Sequence, residues 1–180
     1  MTILNYIQSG GTIMYVLLAM NFIGFALIFW KFFSFRSEKK YIEQSAEEII
    51  KSVSHNLATK AEDSFLLELA KDKVYALTQG MEKGLNTIKI IATISPLLGL
   101  LGTVLGVLSS FQSMASSGMK DPSLFANGIS MALITTVGGL VVAIPHFISY
   151  NYLSGWLTSY EVNLEDKVMD QYLGQNSGEA

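Results

Sequence analysis

The chain reads as an all-α membrane protein with three transmembrane helices and long helical extensions on one side of the bilayer. Three observations predict this. Half of its 180 residues are apolar and only 15% are charged, with a mean hydropathy of +0.38, too greasy for an average soluble domain. Residues 1–30, 90–119 and 122–160 contain no Asp, Glu, Lys or Arg, while residues 31–89 hold ten of the twelve basic side chains. Each uncharged run accommodates the roughly 20 residues that a helix needs to cross about 30 Å of hydrocarbon.

The first span runs from about Met14 to Phe33, behind a turn at Ser9-Gly10-Gly11-Thr12. No basic residue precedes it, whereas Lys31, Arg36, Lys39 and Lys40 end or follow it. A signal peptide has the opposite charge order, so a retained helix is expected. The positive-inside rule then places the N-terminus outside and the chain after residue 33 in the cytoplasm. Trp30, Phe32 and Phe33 form an interfacial belt, beside which Lys31 is expected to snorkel.

From about Ser34 to Gly84 the chain is charged and helical by pattern. Ile50, Val53, Leu57, Ala61, Leu67, Ala70, Val74, Leu77, Met81 and Leu85 recur mostly at three- or four-residue spacing, the period of one helix face. With no proline before Pro96, one long helix is expected to run on into the second span. That span covers about Lys89 to Phe111, and Pro96 should kink it. A short outer loop follows, in which Lys120 is the only basic residue placed outside. Asp121-Pro122 reads as an N-cap followed by a first-turn proline. The third span runs from about Phe125 to Trp156, with Tyr150 and Tyr152 at the inner interface. The tail beyond Glu161 is acidic and amphipathic, then frays at Gly174-Gln-Asn-Ser-Gly178. The resulting division is residues 1–33 for the N-terminus and first span, 34–85 for the cytoplasmic helical region, 86–111 for the second span, 112–124 for the outer loop, 125–156 for the third span, and 157–180 for the cytoplasmic tail.

The chemistry-bearing residues lie in the second and third spans. Gly99, Gly102 and Gly106 contain a G-x-x-x-G pair suited to close helix approach. Thr93, Pro96, Leu100, Thr103, Val107 and Ser110 share one helical stripe. Ile129, Ala132, Thr136, Gly139 and Ala143 share another, with Thr135 next to Thr136. Each hydroxyl can bond back to a carbonyl of its own helix. If the stripes converge, they make a narrow hydroxyl-bearing surface that orients water or a carboxylate from another chain. His146 is a titratable candidate read as solvated or hydrogen-bonded near the inner headgroups. Lys89 reads as a snorkelling residue, Met131 as packing or lipid-facing, and His55 as surface.

Several classes are excluded. There are no cysteines, hence no disulfide, thiol catalysis or Cys-based metal site. No G-x-S-x-G, H-E-x-x-H or P-loop is present, no cofactor is implied, and no basic patch suggests nucleic acid. An intramembrane enzyme lacks the residues it would need. No acid lies in any span, although intramembrane acids are the usual ion carriers. Work on ions would require a partner.

Pro96-Leu-Leu-Gly-Leu-Leu-Gly-Thr-Val-Leu-Gly106 resembles the second-helix signature of the ExbB/TolQ/MotA proton-channel family. Gly128-Ile-x-x-Ala-Leu-x-x-Thr136-x-x-Gly-Leu-x-x-Ala-Ile-Pro145, followed by Tyr150-Asn151, resembles the third-helix signature. Gly10-Gly11-x-x-Met14-Tyr-x-Leu-Leu18 is similar to the opening of the first helix. The short loop and tail fit ExbB/TolQ better than MotA. The resemblance implies a homopentamer in the bacterial inner membrane, with a periplasmic N-terminus and a cytoplasmic C-terminus. It would surround a dimer of a single-span ExbD/TolR-type protein bearing a transmembrane Asp, and drive a TonB- or TolA-type protein. By motif position Thr103 and Thr136 match the family threonines of the proton path, with Thr135 as an added hydroxyl. Pro96, Gly99, Gly102, Gly106, Ala132 and Gly139 would pack helices or line the pore. Many relatives carry Glu where this chain has Met131. The alternatives are a non-conducting membrane scaffold and a sodium-driven or motility-linked relative.

Overall fold

The computed structural model describes residues 7–8, 10–38, 42–56, 63–117 and 122–177. The expectations for Ser9, Leu57, Ala61 and Gly118 to Asp121, and for the side chains of Val53, His55 and Leu67, fall outside what is described. The described residues form five long helices: α1 (Gly11–Glu38), α2 (Ile42–Asn56), α3 (Asp63–Glu82), α4 (Leu85–Ser117) and α5 (Pro122–Ser177). Three stretches within α1, α4 and α5 are long and apolar enough to cross a membrane: Gly11–Arg36, Leu85–Ser116 and Phe125–Tyr172. Contacts divide the chain into two units, residues 1–28 with 86–150, and residues 29–85 with 151–180.

In the first unit α1, α4 and α5 pack side by side. Contacts of α1 with α5 climb in the same direction along both helices, Met14 lying by Gly138 and Gly24 by His146, so the two run parallel. α4 runs antiparallel to α5, because Gly106 lies by Gly128 while Gly99 lies by Gly139. Leu17, Ile91 and Val142 form the shared apolar core. Large side chains such as Phe22, Leu100, Val104, Leu133, Val137 and Val141 point outward, as expected of helices whose surroundings are lipid or other apolar protein. The helices continue through Pro96 and Pro145.

The second unit is built on ordinary hydrophobic burial. Ala46, Ile49 and Ile50 of α2, Ala70 and Val74 of α3, and Tyr160, Leu164 and Val168 of α5 form one core. Glu43, Glu47, Glu48, Lys71, Asp72 and Lys73 keep to the exposed face, which accounts for the three- and four-residue spacing of the apolar positions. Each fully buried Val or Leu contributes about 1.5–3 kcal/mol. Trp156 stacks between Phe35 (centroids 4.5 Å apart) and Tyr160 (5.5 Å). The Lys167–Glu43 ion pair, 3.8 Å and exposed on both sides, adds little.

Two expectations are corrected in this unit. The helix entering the second span is not continuous with the charged helices. It breaks at Lys83-Gly84, where Gly84 takes φ +93°, the left-handed conformation that ends a helix and that only glycine adopts without strain. Lys31 does not snorkel. It is 4% exposed, and its Nζ donates to the Met81 carbonyl at 2.8 Å while lying 5.0 Å from the Trp30 ring centroid and 5.5 Å from that of Phe35. The last carbonyls of α3 lack intrahelical donors and carry the negative end of the helix dipole, so they offer the ammonium a partner. A third difference is at the tail, where α5 stays helical through Ser177 rather than fraying at Gly174.

The two glycines near this junction should respond oppositely to alanine. Gly84→Ala forces a left-handed alanine and brings its Cβ to 3.2 Å from Lys31 Cε, a cost of about 1–2 kcal/mol. Gly80 is helical with open space around it, so Gly80→Ala should stabilise by up to about 1 kcal/mol. Thermal unfolding of the purified chain should show a lower midpoint for the first variant and an unchanged or higher one for the second. Lys31→Met keeps the side-chain length but strips the Met81 carbonyl of its donor, costing about 1–3 kcal/mol. Hydrogen exchange should then quicken in the last turn of α3 and not in α2.

Candidate functional site

The α4–α5 seam is made of residues too small to hold two backbones apart. A Cβ on Gly99 would lie 2.9 Å from the Thr135 carbonyl and 3.1 Å from Thr136 Cα. One on Gly106 would lie 2.9 Å from the Gly128 carbonyl, and one on Gly139 only 2.6 Å from the Ser95 carbonyl. Distances under 3.0 Å to backbone leave nothing free to move, so alanine at any of the three would push the helices apart. In hydrocarbon there is no water to expel, and such close packing is itself a main source of helix association.

This approach brings together the hydroxyls that the two stripes carry. Thr103 and Thr136 are hydrogen-bonded to each other through their side chains. Thr103 Oγ1 also lies 3.2 Å from the Gly99 carbonyl and 3.3 Å from that of Ala132, and Thr136 Oγ1 lies 3.3 Å from the Gly99 carbonyl. Two protons thus serve two hydroxyl and two carbonyl oxygens. Each hydroxyl retains an acceptor lone pair. Both threonines are half-buried at the edge of the seam, next to outward-facing Leu100 and Leu133. The pair can orient water or hydrogen-bond an acid brought by another chain. A hydroxyl does not ionise in the physiological range, so it stores no charge.

Thr135 stands apart from this pair. It is 1% exposed, donates to the Ala132 carbonyl at 2.8 Å, and packs where a Cβ on Gly102 would come within 2.6 Å of its own Cβ. Ala132 and Gly139 lie buried in the seam with Gly102, whereas Pro96 is half-buried. Met131 lies by the first turn of α1, its sulfur 4.0 Å from where a Cβ of Gly11 would stand. Lys89 sits over the Tyr150 ring at 5.5 Å.

The sequence did not single out Ser95, Ser110 or Gly128 as site residues. Ser95 is fully buried and donates to Ile91 at 2.7 Å. Ser110 donates to Gly106 at 3.0 Å and is 3.4 Å from the Phe125 carbonyl, fitting over the bare face of Gly128. The antiparallel register supplies the missing signal, since small residues recur opposite one another along its length. Of the two environments the sequence allows for His146, solvated or hydrogen-bonded, the structure gives the second: it is fully buried with Nδ1 2.7 Å from the Val142 carbonyl. No cluster of three or more His, Asp or Glu able to hold a metal occurs among the described residues.

Residues 37–166 match the model of the MotA/TolQ/ExbB proton channel family. The chain is 30% identical over 179 residues to a biopolymer transport protein ExbB homolog of Methanothermobacter thermautotrophicus, covering 86% of this chain and 63% of that protein. It is 34% identical over 123 residues to biopolymer transport protein ExbB of Salmonella typhimurium, covering 68% and 49%. With biopolymer transport protein ExbB of Aquifex aeolicus it shares 32% identity over 141 residues, covering 78% and 76%. The chain thus spans less than two thirds of the first two relatives. The family match takes in the whole α4–α5 seam and the hydroxyl pair, and the similarity to ExbB proteins extends over most of the sequence. This chain belongs to the MotA/TolQ/ExbB proton channel family.

Proposed function

We propose that this chain is an inner-membrane stator subunit that passes protons and, with a single-span partner of the ExbD/TolR type, converts proton-motive force into mechanical work for outer-membrane transport or envelope processes. The observation that carries the reading is the Thr103–Thr136 hydroxyl pair at the edge of a seam of small residues. Family membership and relatives named as biopolymer transport proteins support it. The uncharged runs 1–30, 90–119 and 122–160 contain no acid. The proton carrier is assigned to a transmembrane Asp of the partner, held as a dimer inside a pentamer of this chain, and the output to a TonB- or TolA-type protein.

The energetics suit this division. An Asp at mid-bilayer costs about 2.5–3.5 kcal/mol on insertion scales, and one charge crossing 100 mV supplies about 2.3 kcal/mol. The acceptor lone pairs left on the two threonines take a hydrogen bond from the Asp in its protonated form without trapping the proton, because neither hydroxyl ionises. Thr135, turned into the seam, contributes by spacing the backbones rather than by facing the proton. A sodium-driven relative would use the same oxygens as ligands.

The rival reading, a non-conducting scaffold, also has an observation behind it. Both hydroxyls find carbonyl acceptors in their own chain, so they are satisfied as packing groups alone. Thr136→Val separates the two. It keeps the β-branched shape and removes the hydroxyl, so the complex purified with its partner should keep its subunit count while proton flux in liposomes falls at least about tenfold, the low end of an interaction worth about 1.4 kcal/mol. Normal flux with normal assembly would favour the scaffold. Gly102→Leu is the packing control: it drives α4 off Thr135 and should lose the assembled complex along with the flux.

A further inference from the structure

His146 takes no part in the hydroxyl pair. Its ring is 0% exposed, and Nδ1 lies 2.7 Å from the Val142 carbonyl oxygen, one turn back on α5. A carbonyl only accepts, so Nδ1 carries the proton, and in the neutral ring Nε2 is a bare acceptor. Nε2 is buried with no hydrogen-bond partner among the described residues. What it faces is Gly24 of α1: a Cβ at that position would overlap Nε2 and Cδ2 of the imidazole. Phe25 closes the same side, edge to face at 5.0 Å. The acceptor is sealed by a glycine Cα, which offers at most a weak C–H contact.

The groups of the described residues that meet the ring do not ionise. From α1 it meets Gly24 and Phe25, from its own helix the Val142 backbone, and the α4 residue packed on Val142 is Ile91. Lys89 of α4 and Tyr150 of α5 engage each other, and Tyr15 of α1 is exposed. We infer that His146 and Gly24 form a proton-sensitive latch between the first and third spans. A second proton on the ring turns Nε2 into a donor aimed at Gly24, where no acceptor of the described residues meets it. α1 must shift off the ring for water or another acceptor to reach that N–H. The closed contact and the doubly protonated ring exclude each other, and by linkage the position of α1 on α5 follows pH.

The chain has two histidines and no cysteine, which makes the test direct on the full chain in lipid nanodiscs. In a His55→Gln background, nitrogen NMR of labelled histidine should show, at neutral pH, the proton on Nδ1 and a bare Nε2. Spin labels at Ile23→Cys on α1 and Ile144→Cys on α5, both outward-facing, should separate on the order of 1–2 Å as pH falls from about 8 to about 5. His146→Leu should hold the closed distance throughout. Gly24→Ala should be open at every pH, and the Gly24→Ala/His146→Ala pair should return to the closed distance by making room for the new methyl. The latch is overturned by a proton on Nε2 at neutral pH, by no separation on acidification, or by a separation that persists in His146→Leu. Should Gly24→Ala fail to fold, the NMR of the unaltered ring and the His146→Leu distances decide alone. None of these readouts measures transport, so their failure leaves the threonine reading untouched.

Discussion

The close approach of α4 and α5 is the constraint on which the rest of the membrane unit depends. Gly99, Gly106 and Gly139 each face backbone atoms of the opposite helix at distances that exclude a side chain. In water two helices are pressed together because apolar surface leaves solvent. In hydrocarbon that force is absent, and contact area between backbones must replace it. Small residues are the means, and the threonine pair is a consequence. Only because the backbones come this near does a side chain as short as threonine reach across to Thr136 and to the Ala132 carbonyl.

The other unit obeys a different rule. Its core of Ala46, Ile49, Val74, Leu164 and their neighbours is built of larger apolar side chains, with charges on the outside. The break at Gly84 and the capping of α3 by Lys31 lie where the charged helices give way to α4. Placing a buried ammonium on a helix-end carbonyl gives two unfavourable groups a partner at once, the charge and the Met81 oxygen. A single long helix, as the uninterrupted apolar pattern suggests, would have left Lys31 without that oxygen.

The membrane unit also holds two kinds of polar group that differ in their capacity to store charge. Threonine hydroxyls at the seam edge offer hydrogen bonds and stay neutral, which suits a path that a proton must leave as readily as it enters. His146 is the buried side chain of this unit that can gain a proton, and it sits between α1 and α5 rather than between α4 and α5. The division separates a proposed conduction element from a proposed sensing element, each built around a glycine that makes room for it.

The sequence by itself determined the three spans, because apolar length and the absence of charge are local properties that the bilayer reads directly. It also determined which residues ride on common helical stripes, since a period of 3.6 is fixed by backbone geometry. That Thr103 and Thr136 each ride on a stripe of mostly small residues was legible for the same reason, and the motif resemblance pointed to the same two residues. Tertiary structure alone decided what lies opposite what. The antiparallel register put Ser110 over Gly128 and turned Thr135 inward under Gly102. The parallel packing of α1 on α5 set Gly24 against His146, a pairing across more than a hundred residues that no local spacing encodes. The left-handed turn at Gly84 was hidden too, because a lone glycine in a helical pattern is as often tolerated as it is a stop. The helix end beside it meets Lys31 through the Met81 carbonyl, a contact made only once the chain has folded back on itself.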